Sequence, residues 1–190
     1  MYENDKKAAI GALSKIDPSQ PYGADLFNAI ARVSISVAVE AIGIRRNVQT
    51  GELEVRLMQR PQNAPAYAGM WHFPGSFIRP GESEENVLKR LEKGEFKAPV
   101  RLISRIGWDN NPHEERGHVM HLLYLVEVDD LSDNKWFPIG NLPEPMVDHH
   151  RQVLIPVAVK AFKRSWRGKM SAVISLAYRF FRRIFKFLKH

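Results

Sequence analysis

The stretch "PGESEENVLKRLEKGEF", residues 80–96, decides how the fold of this chain is predicted. Ser83 can cap a helix that runs to about Lys93, and the apolar residues Val87, Leu88 and Leu91 share one side of it. The glutamates of the stretch could hold metal ions against a phosphate chain, because Mg²⁺ prefers oxygen ligands. The pattern therefore predicts a glycine-containing loop followed by a helix with acidic side chains.

The segments around this helix predict a sheet. β-branched and alternating residues indicate two strands of a hairpin, a short strand broken by Pro-Gly, and two further strands. A late helix candidate contains Pro156, which could kink or split it. The order predicts an α+β fold, an α/β/α sandwich around a mixed sheet. The segments are SISVAVEAIGIRR and LEVRLMQR for the hairpin, then MWHFPGSFI, VRLISRIGW and HVMHLLYLVEV, and MVDHHRQVLIPVAVKAFKRSW for the late helix.

Residues 75–97 resemble the signature of the Nudix hydrolases. The family's box reads G-x5-E-x7-R-E-U-x-E-E-x-G-U, where U is aliphatic, and Glu82, Arg90 and Glu95 fall on its first Glu, its Arg and its last Glu. The preceding WHFPGSFI is similar to the family's Trp-x-Phe-Pro-Gly-Gly approach. The resemblance covers roughly residues 33–160 and implies a Mg²⁺- or Mn²⁺-dependent hydrolase of a nucleoside diphosphate linked to another moiety.

Four residues depart from the box: Ser76, Leu91, Gly94 and Lys97 stand where the family has Gly, Glu, Glu and Gly. Of the three carboxylates that the box presents to metal, Glu95 alone is in register. Pyrophosphate cleavage needs Mg²⁺ to neutralise the phosphates and to position water, so each lost ligand weakens the site. The metal site is therefore expected to be weakened or lost.

Two residues are the candidates for catalysis and metal binding, Glu95 and Glu92. Glu92 could face the site if the helix turned by about one residue, roughly 100°. Gly94 opposes this, because it would be a comfortable residue just past the end of a helix and would leave Glu95 on a loop. The resemblance gives Gly75, Glu82 and Arg90 a structural role as a brace of the box.

Several other polar and aromatic residues are expected to have structural or surface roles and not catalytic ones. Asp148 to His150 are expected to form a helix cap with a surface histidine, since adjacent side chains on a helix diverge. Glu114 and Glu115 are expected to be solvated loop charges. Trp71, Phe73 and Trp108 are expected in the core.

The charge is distributed unevenly, with a mildly acidic main part and a strongly basic C-terminal tail. Its 190 residues have a net charge of +7 and no Cys, which excludes a disulfide scaffold and fits a reducing, cytoplasmic compartment. Residues 160–190 contain ten Lys or Arg and no Asp or Glu. The predicted organisation is an N-terminal helical segment at 1–32, a Nudix-like domain at 33–163 and a basic amphipathic C-terminal helix at 164–190.

The basic tail allows three interpretations. Its apolar residues recur every three or four positions between residues 169 and 189, with basic residues on the other side. It could lie on an anionic membrane surface as a peripheral anchor, or pack on the domain or a partner subunit, and these carry equal weight. Nucleic acid is not favoured as a partner, because the rest of the chain is acidic.

Two functions follow from these observations. The first is the metal-dependent hydrolase of a nucleoside diphosphate derivative. The alternative is a catalytically inactive Nudix-fold module that binds a nucleotide or a protein, with the basic tail at a membrane. Leu91 and Gly94 favour the second function, whereas Glu82, Arg90 and Glu95 fit both.

Overall fold

The structure, a computed structural model, describes residues 2–129 and 135–165. The predicted amphipathic helix at 169–189 lies outside the described residues, and its interpretations stay predictions. In the described part of the chain, no helix is both long and apolar enough to cross a membrane.

A six-stranded mixed sheet forms the centre of the molecule. The strand order is β6-β7-β1-β2-β8, and β5 pairs with β1. The pair β1–β7 is parallel, whereas β1–β2, β1–β5, β2–β8 and β6–β7 are antiparallel. The strands are β1 Ser36–Arg46, β2 Leu53–Arg56, β5 Gly75–Phe77, β6 Val100–Asn111, β7 Val119–Val128 and β8 Trp136–Pro138, and a separate two-stranded sheet consists of β3 Met58–Gln59 and β4 Trp71–His72.

Strand β1 lies in the middle of the sheet and is buried on both faces. Its β-branched and small residues pack well on a pleated surface, and neighbouring residues face opposite layers. Ile42 and Ile44 join a core cluster with Leu154 and Ile155, while Val39 joins a second cluster on the other face. The two clusters make the α/β/α layers that the sequence predicts.

The described residues contain four helices: α1 Glu3–Leu13, α2 Ala24–Ala31, α3 Glu84–Leu91 and α4 at 148–165. Helix α1 has no buried residue. Helix α2 buries Ala31 and stacks Phe27 on Phe77 of β5, with ring centroids 4.7 Å apart. The N-terminal segment therefore touches the loop that precedes the box helix.

Helix α3 begins as predicted and ends differently. The Ser83 hydroxyl accepts a hydrogen bond from the Asn86 amide. The expectation that Gly94 ends the helix is wrong, because a π-helical turn, Glu92–Phe96, continues α3 up to Lys97. A π turn joins residues five apart, so Leu91 and Phe96 both reach the same core cluster.

Helix α4 also contains a π-helical turn, His150–Leu154, just before Pro156. The wider turn accommodates the proline, which has no N–H and would collide with the carbonyl four residues earlier in a regular helix. Pro156 therefore does not split the helix. Buried Leu154 and Ile155 still face the core of the sheet.

Strand β6 lies at one edge of the main sheet and is irregular. Its pairing with β7 shifts between Leu102 and Ser104 and again between Arg105 and Gly107. Such bulges bend a strand and increase its twist.

Candidate functional site

The loop before α3 is tied to the helix by Glu82 and Arg90. Arg90 Nε and Nη2 donate to the two carboxylate oxygens of Glu82 at 3.0 and 2.9 Å. Arg90 also donates to the Phe77 carbonyl, at 3.0 Å, and to the Ser76 hydroxyl. The hydrogen bonds from Arg90 lower the pKa of Glu82. Both side chains are thus engaged within the loop and are not free for chemistry.

The departures from the box have different consequences in the structure. Leu91 is 1% exposed and belongs to the core, so a carboxylate at this position would be buried among apolar side chains. A Cβ added at Gly94 would have no neighbouring atom within 4 Å, so the position has room for a side chain. Glu92 accepts a hydrogen bond from the Val100 amide at 2.9 Å and so fixes the start of β6. The assignment of Glu92 as a metal ligand stays a prediction, and this contact gives it a structural role.

Glu95 lies beside Gly75 and Glu40. The Gly75 amide donates to the Glu95 carboxylate, and burial, followed by the charge of Glu40, raises the pKa of Glu95 to about 7. Gly75 pairs with Glu40 across β5 and β1. A Cβ at Gly75 would come within 2.2 Å of Glu40 Oε2, so only glycine allows this approach.

Glu40 is the carboxylate that the sequence analysis missed. It lies on β1 and is 5% exposed, and burial raises its pKa. Its sequence signal is a single acidic residue within the apolar run SVAVEAIGI. A buried acid in a central strand is costly unless it has partners or a function.

Arginines and a third acid surround this pair. Arg60, Arg116 and Glu114 line a pocket of about 40 Å³ together with Glu40. Tyr67 donates to Glu114 at 3.0 Å, and Arg116 contacts the same carboxylate at 3.3 Å. The expectation that Glu114 is a solvated charge is therefore wrong. Burial, and then the charge of Arg116, lowers the pKa of Arg60.

The histidines of residues 148–150 are not on the surface, so that expectation is also wrong. His150 is buried, and its Nδ1 accepts a hydrogen bond from the Phe73 amide at 3.0 Å. His149 is partly buried, and its Nε2 lies 2.9 Å from Asp109 Oδ2. The sequence could not reveal this, because Asp109 is on β6 and 40 residues away in the chain.

A second, more open pocket lies between the N-terminal segment and β5. Its volume is about 310 Å³, and Tyr22, Phe27 and Phe77 line it. Arg116 borders both pockets. Of the aromatic residues expected in the core, Phe73 is buried and Trp71 packs against the core cluster, whereas Trp108 is 65% exposed and does not belong to the core.

The sequence and the structure of this chain are similar to those of known proteins. No protein-family model matches the chain. It is 27% identical over 125 residues to an ADP-ribose pyrophosphatase of Methanocaldococcus jannaschii, a match that covers 61% of this chain and 69% of that protein. The crystal structure of Shewanella oneidensis NrtR complexed with a 27mer DNA matches with 25% identity and a TM-score of 0.50.

That match covers 67% of this chain and 62% of NrtR, so the chain spans less than two thirds of that relative. The NUDIX domain of NrtR, solved with ADP ribose, matches with 22% identity and a TM-score of 0.50, covering 85% of this chain and 99% of the domain. The chain therefore has the Nudix fold. The resemblance to Nudix proteins that residues 75–97 predict is confirmed.

Proposed function

We propose that this chain binds a nucleoside diphosphate derivative of the ADP-ribose class and hydrolyses its diphosphate with a divalent cation. Glu95 and Glu40 would hold the cation, and Arg60 and Arg116 would bind the phosphates. The sequence predicts Glu95 and Glu92 as the metal ligands, and we propose Glu40 in place of Glu92.

The observation that carries the proposal is a pair of unsatisfied carboxylates. Glu40 Oε2 and Glu95 Oε2 are both shielded from solvent and have no hydrogen-bond partner among the described residues. Buried polar atoms are normally paired, and the charge of Glu40 acts on Glu95, so these two orphaned oxygens favour a bound ligand. Both carboxylates resist ionisation when buried, which an approaching cation would reverse.

The residues present fit a hard divalent cation. Mg²⁺ or Mn²⁺ takes oxygen ligands and is satisfied by one or two carboxylates, with water and phosphate oxygens as the remaining ligands. When bound, such an ion would neutralise the diphosphate and lower the pKa of an attacking water. Two carboxylates are fewer than the family's box supplies, so we expect weak affinity for the ion and dependence on the substrate's own phosphates.

The cationic side chains account for binding of the diphosphate. Arg60 and Arg116 lie at the pocket that Glu40 lines, and a guanidinium can donate two hydrogen bonds to one phosphate. Glu114 holds Arg116 in position. The apolar pocket beyond Arg116 would then receive the nucleoside or the second moiety, against Phe27 and Phe77.

The comparisons support the substrate class. The M. jannaschii relative is an ADP-ribose pyrophosphatase, and the NUDIX domain of NrtR was solved with ADP ribose. NrtR itself was solved with DNA. The expectation that nucleic acid is not a partner of this chain is therefore unsupported.

The test is a panel of nucleoside diphosphate derivatives, ADP-ribose included, with Mg²⁺ or Mn²⁺ and phosphate-product detection. We expect ADP-ribose to be hydrolysed and Glu95→Gln and Glu40→Gln each to reduce the rate by about 100-fold, since a bound cation supplies several kcal/mol of transition-state stabilisation. Glu115→Gln is the matched control, because Glu115 is an exposed carboxylate on the neighbouring loop.

The folded state of the variants can be checked independently. Glu95→Gln should be at least as heat-stable as the wild type at pH 8, because a carboxyl whose pKa is raised to about 7 in the folded state destabilises the fold once it is ionised. Equal rates for Glu95→Gln and the control would rule out the assigned site.

One observation favours a second function, binding without hydrolysis. Two of the three metal positions of the box carry Leu91 and Gly94, and Leu91 is part of the core. Calorimetry would then detect ADP-ribose binding that needs no cation, together with no turnover in the panel. This result would replace the hydrolase with a nucleotide-binding module.

A further inference from the structure

We propose that Asp109, His121 and His149 form a binding site for a first-row transition-metal ion such as Zn²⁺. This site adjoins the proposed Mg²⁺ site, because Glu40 contacts His121, but its ligands are different residues and it does not depend on the proposed hydrolysis. It would join the sheet to α4.

Three elements bring these side chains together. Asp109 on β6 is the direct pairing partner of His121 on β7, so both side chains lie on one face of the sheet. His149 lies in the first turn of α4, which covers that face. One ligand atom from each residue lies within 4.8 Å of the other two. Small side-chain rotations would bring all three to the 2.0–2.2 Å ligand distances of zinc.

The strongest observation is the free nitrogen of His121. The residue is 4% exposed, and its Nε2 has no hydrogen-bond partner among the described residues. Leaving a buried polar atom unsatisfied destabilises the fold. His121 belongs to the cluster that also contains Asp109 and His149, so a metal ion bound there through Nε2 would satisfy this nitrogen.

The second observation is the other nitrogen of His121. Its Nδ1 lies 3.1 Å from Glu40 Oε1. A metal-bound histidine almost always donates its second ring N–H to a carboxylate or carbonyl, which fixes the tautomer and leaves the other nitrogen free to coordinate. The chain thus supplies both the ligand and the group that orients it.

The ligand types determine the class of ion. Two imidazoles and one carboxylate suit Zn²⁺, Fe²⁺ or Ni²⁺, whereas Mg²⁺ and Ca²⁺ prefer oxygen alone. The side chains of His149 and Asp109 are 19% and 22% exposed, so ions have a path to the site. Three protein ligands leave at least one position for water.

An ion pair between Asp109 and His149 is the competing explanation. Their Oδ2 and Nε2 atoms are 2.9 Å apart, yet neither atom forms a hydrogen bond in the described structure. An ion pair would also leave His121 Nε2 without a partner. A metal ion accounts for all three atoms.

The experiment measures Zn²⁺ binding to the full chain by competition with a chromophoric chelator, with 5 mM Mg²⁺ present to occupy oxygen sites. Wild type should bind one Zn²⁺ tightly, and His149→Gln and Asp109→Asn should each weaken binding by at least about 10-fold. His118→Gln is the matched control, because His118 is only partly buried and contacts Asn110 instead.

Co²⁺ gives a second readout that does not depend on affinity. Bound to wild type and to His118→Gln, Co²⁺ should show the intense visible absorption of a four-coordinate site, and this band should disappear in His149→Gln. Circular dichroism of the metal-free variants checks their folding. Zn²⁺ affinity and Co²⁺ absorption that do not differ between His149→Gln and His118→Gln would overturn the proposal and leave an Asp–His ion pair.

Discussion

Lys97 ends the π turn with a backbone φ of 53°, in the left-handed region that favours glycine. The Nudix box has its final Gly at this position, and the chain keeps the conformation without keeping the residue. An L-residue pays roughly 1–2 kcal/mol in the left-handed conformation. Lys97 therefore stores strain directly after the helix that carries Glu95.

Lys97→Gly should consequently stabilise the fold, by about 0.5 kcal/mol after the greater flexibility of glycine in the unfolded chain is subtracted. Lys93→Gly is the control, since Lys93 is exposed within the π turn and should lose up to about 1 kcal/mol. Urea denaturation measures both. Destabilisation by both variants to the same extent would show that Lys97 is not strained.

At the residue scale, the sequence predicts the contacts within the box better than the site around it. Glu82 and Arg90 lie eight residues apart on a loop and the helix that follows, so a local motif can specify their ion pair. Glu40 lies on β1 and His149 lies in α4, and their contacts with distant residues depend on the strand order. Nothing in their local sequence states which distant residue they meet.

The π-helical turn after α3 decides which glutamate faces the site. Glu92 begins the turn and accepts a hydrogen bond from the Val100 amide, whereas Glu95, three residues further on, lies beside Gly75. The sequence indicates a helix here, and it cannot indicate the extra residue per turn, because that depends on Phe96 reaching the core. The π-helical turn therefore gives Glu92 a structural contact and leaves Glu95 as the candidate metal ligand.

Replacement of Glu92 tests this separation. Glu92→Ala should destabilise the fold by about 1–2 kcal/mol, since the Val100 amide loses a charged acceptor, and should leave Mn²⁺ affinity unchanged. Glu85→Ala should leave the stability almost unchanged, because its ion pair with Lys89 is on the surface. Thermal unfolding and Mn²⁺ titration distinguish the two roles, and weaker Mn²⁺ binding by Glu92→Ala would restore Glu92 as a ligand.

At the scale of the whole molecule, stability should depend on a buried imidazole. Burial, followed by the charge of Arg60, lowers the pKa of His72 to about 4 from an ordinary value of 6.5. A base with a depressed pKa contributes stability that is complete above about pH 6.5 and is lost as pH falls towards 4. In that window the loss approaches about 1.4 kcal/mol per pH unit.

We therefore expect the free energy of unfolding of the wild type to fall steeply between pH 6.5 and 4.5. His72→Gln has no proton to gain at this position, so its free energy of unfolding should fall less over the same range. Guanidinium denaturation at several pH values measures the difference. Parallel pH profiles for the two proteins would mean that protonation of His72 does not limit acid stability.

The fold as a whole is more predictable than the site. Alternating β-branched residues identify the strands, and the box fixes the helix on one face, so the layers follow from local patterns and known packing rules. The division into segments 1–32, 33–163 and 164–190 stays a prediction. The anionic membrane surface and the partner subunit both remain expectations for residues 169–189.

The two bulges of β6 affect more than its pairing with β7. An edge strand exposes a row of free amide and carbonyl groups, and a long, flat one invites the strand of another molecule to join it. In β6 the ladder is interrupted at Leu102–Ser104 and Arg105–Gly107, and Arg101 and Arg105 add charge. These features should keep the protein from aggregating through this edge, even though Leu102 and Trp108 present apolar surface there.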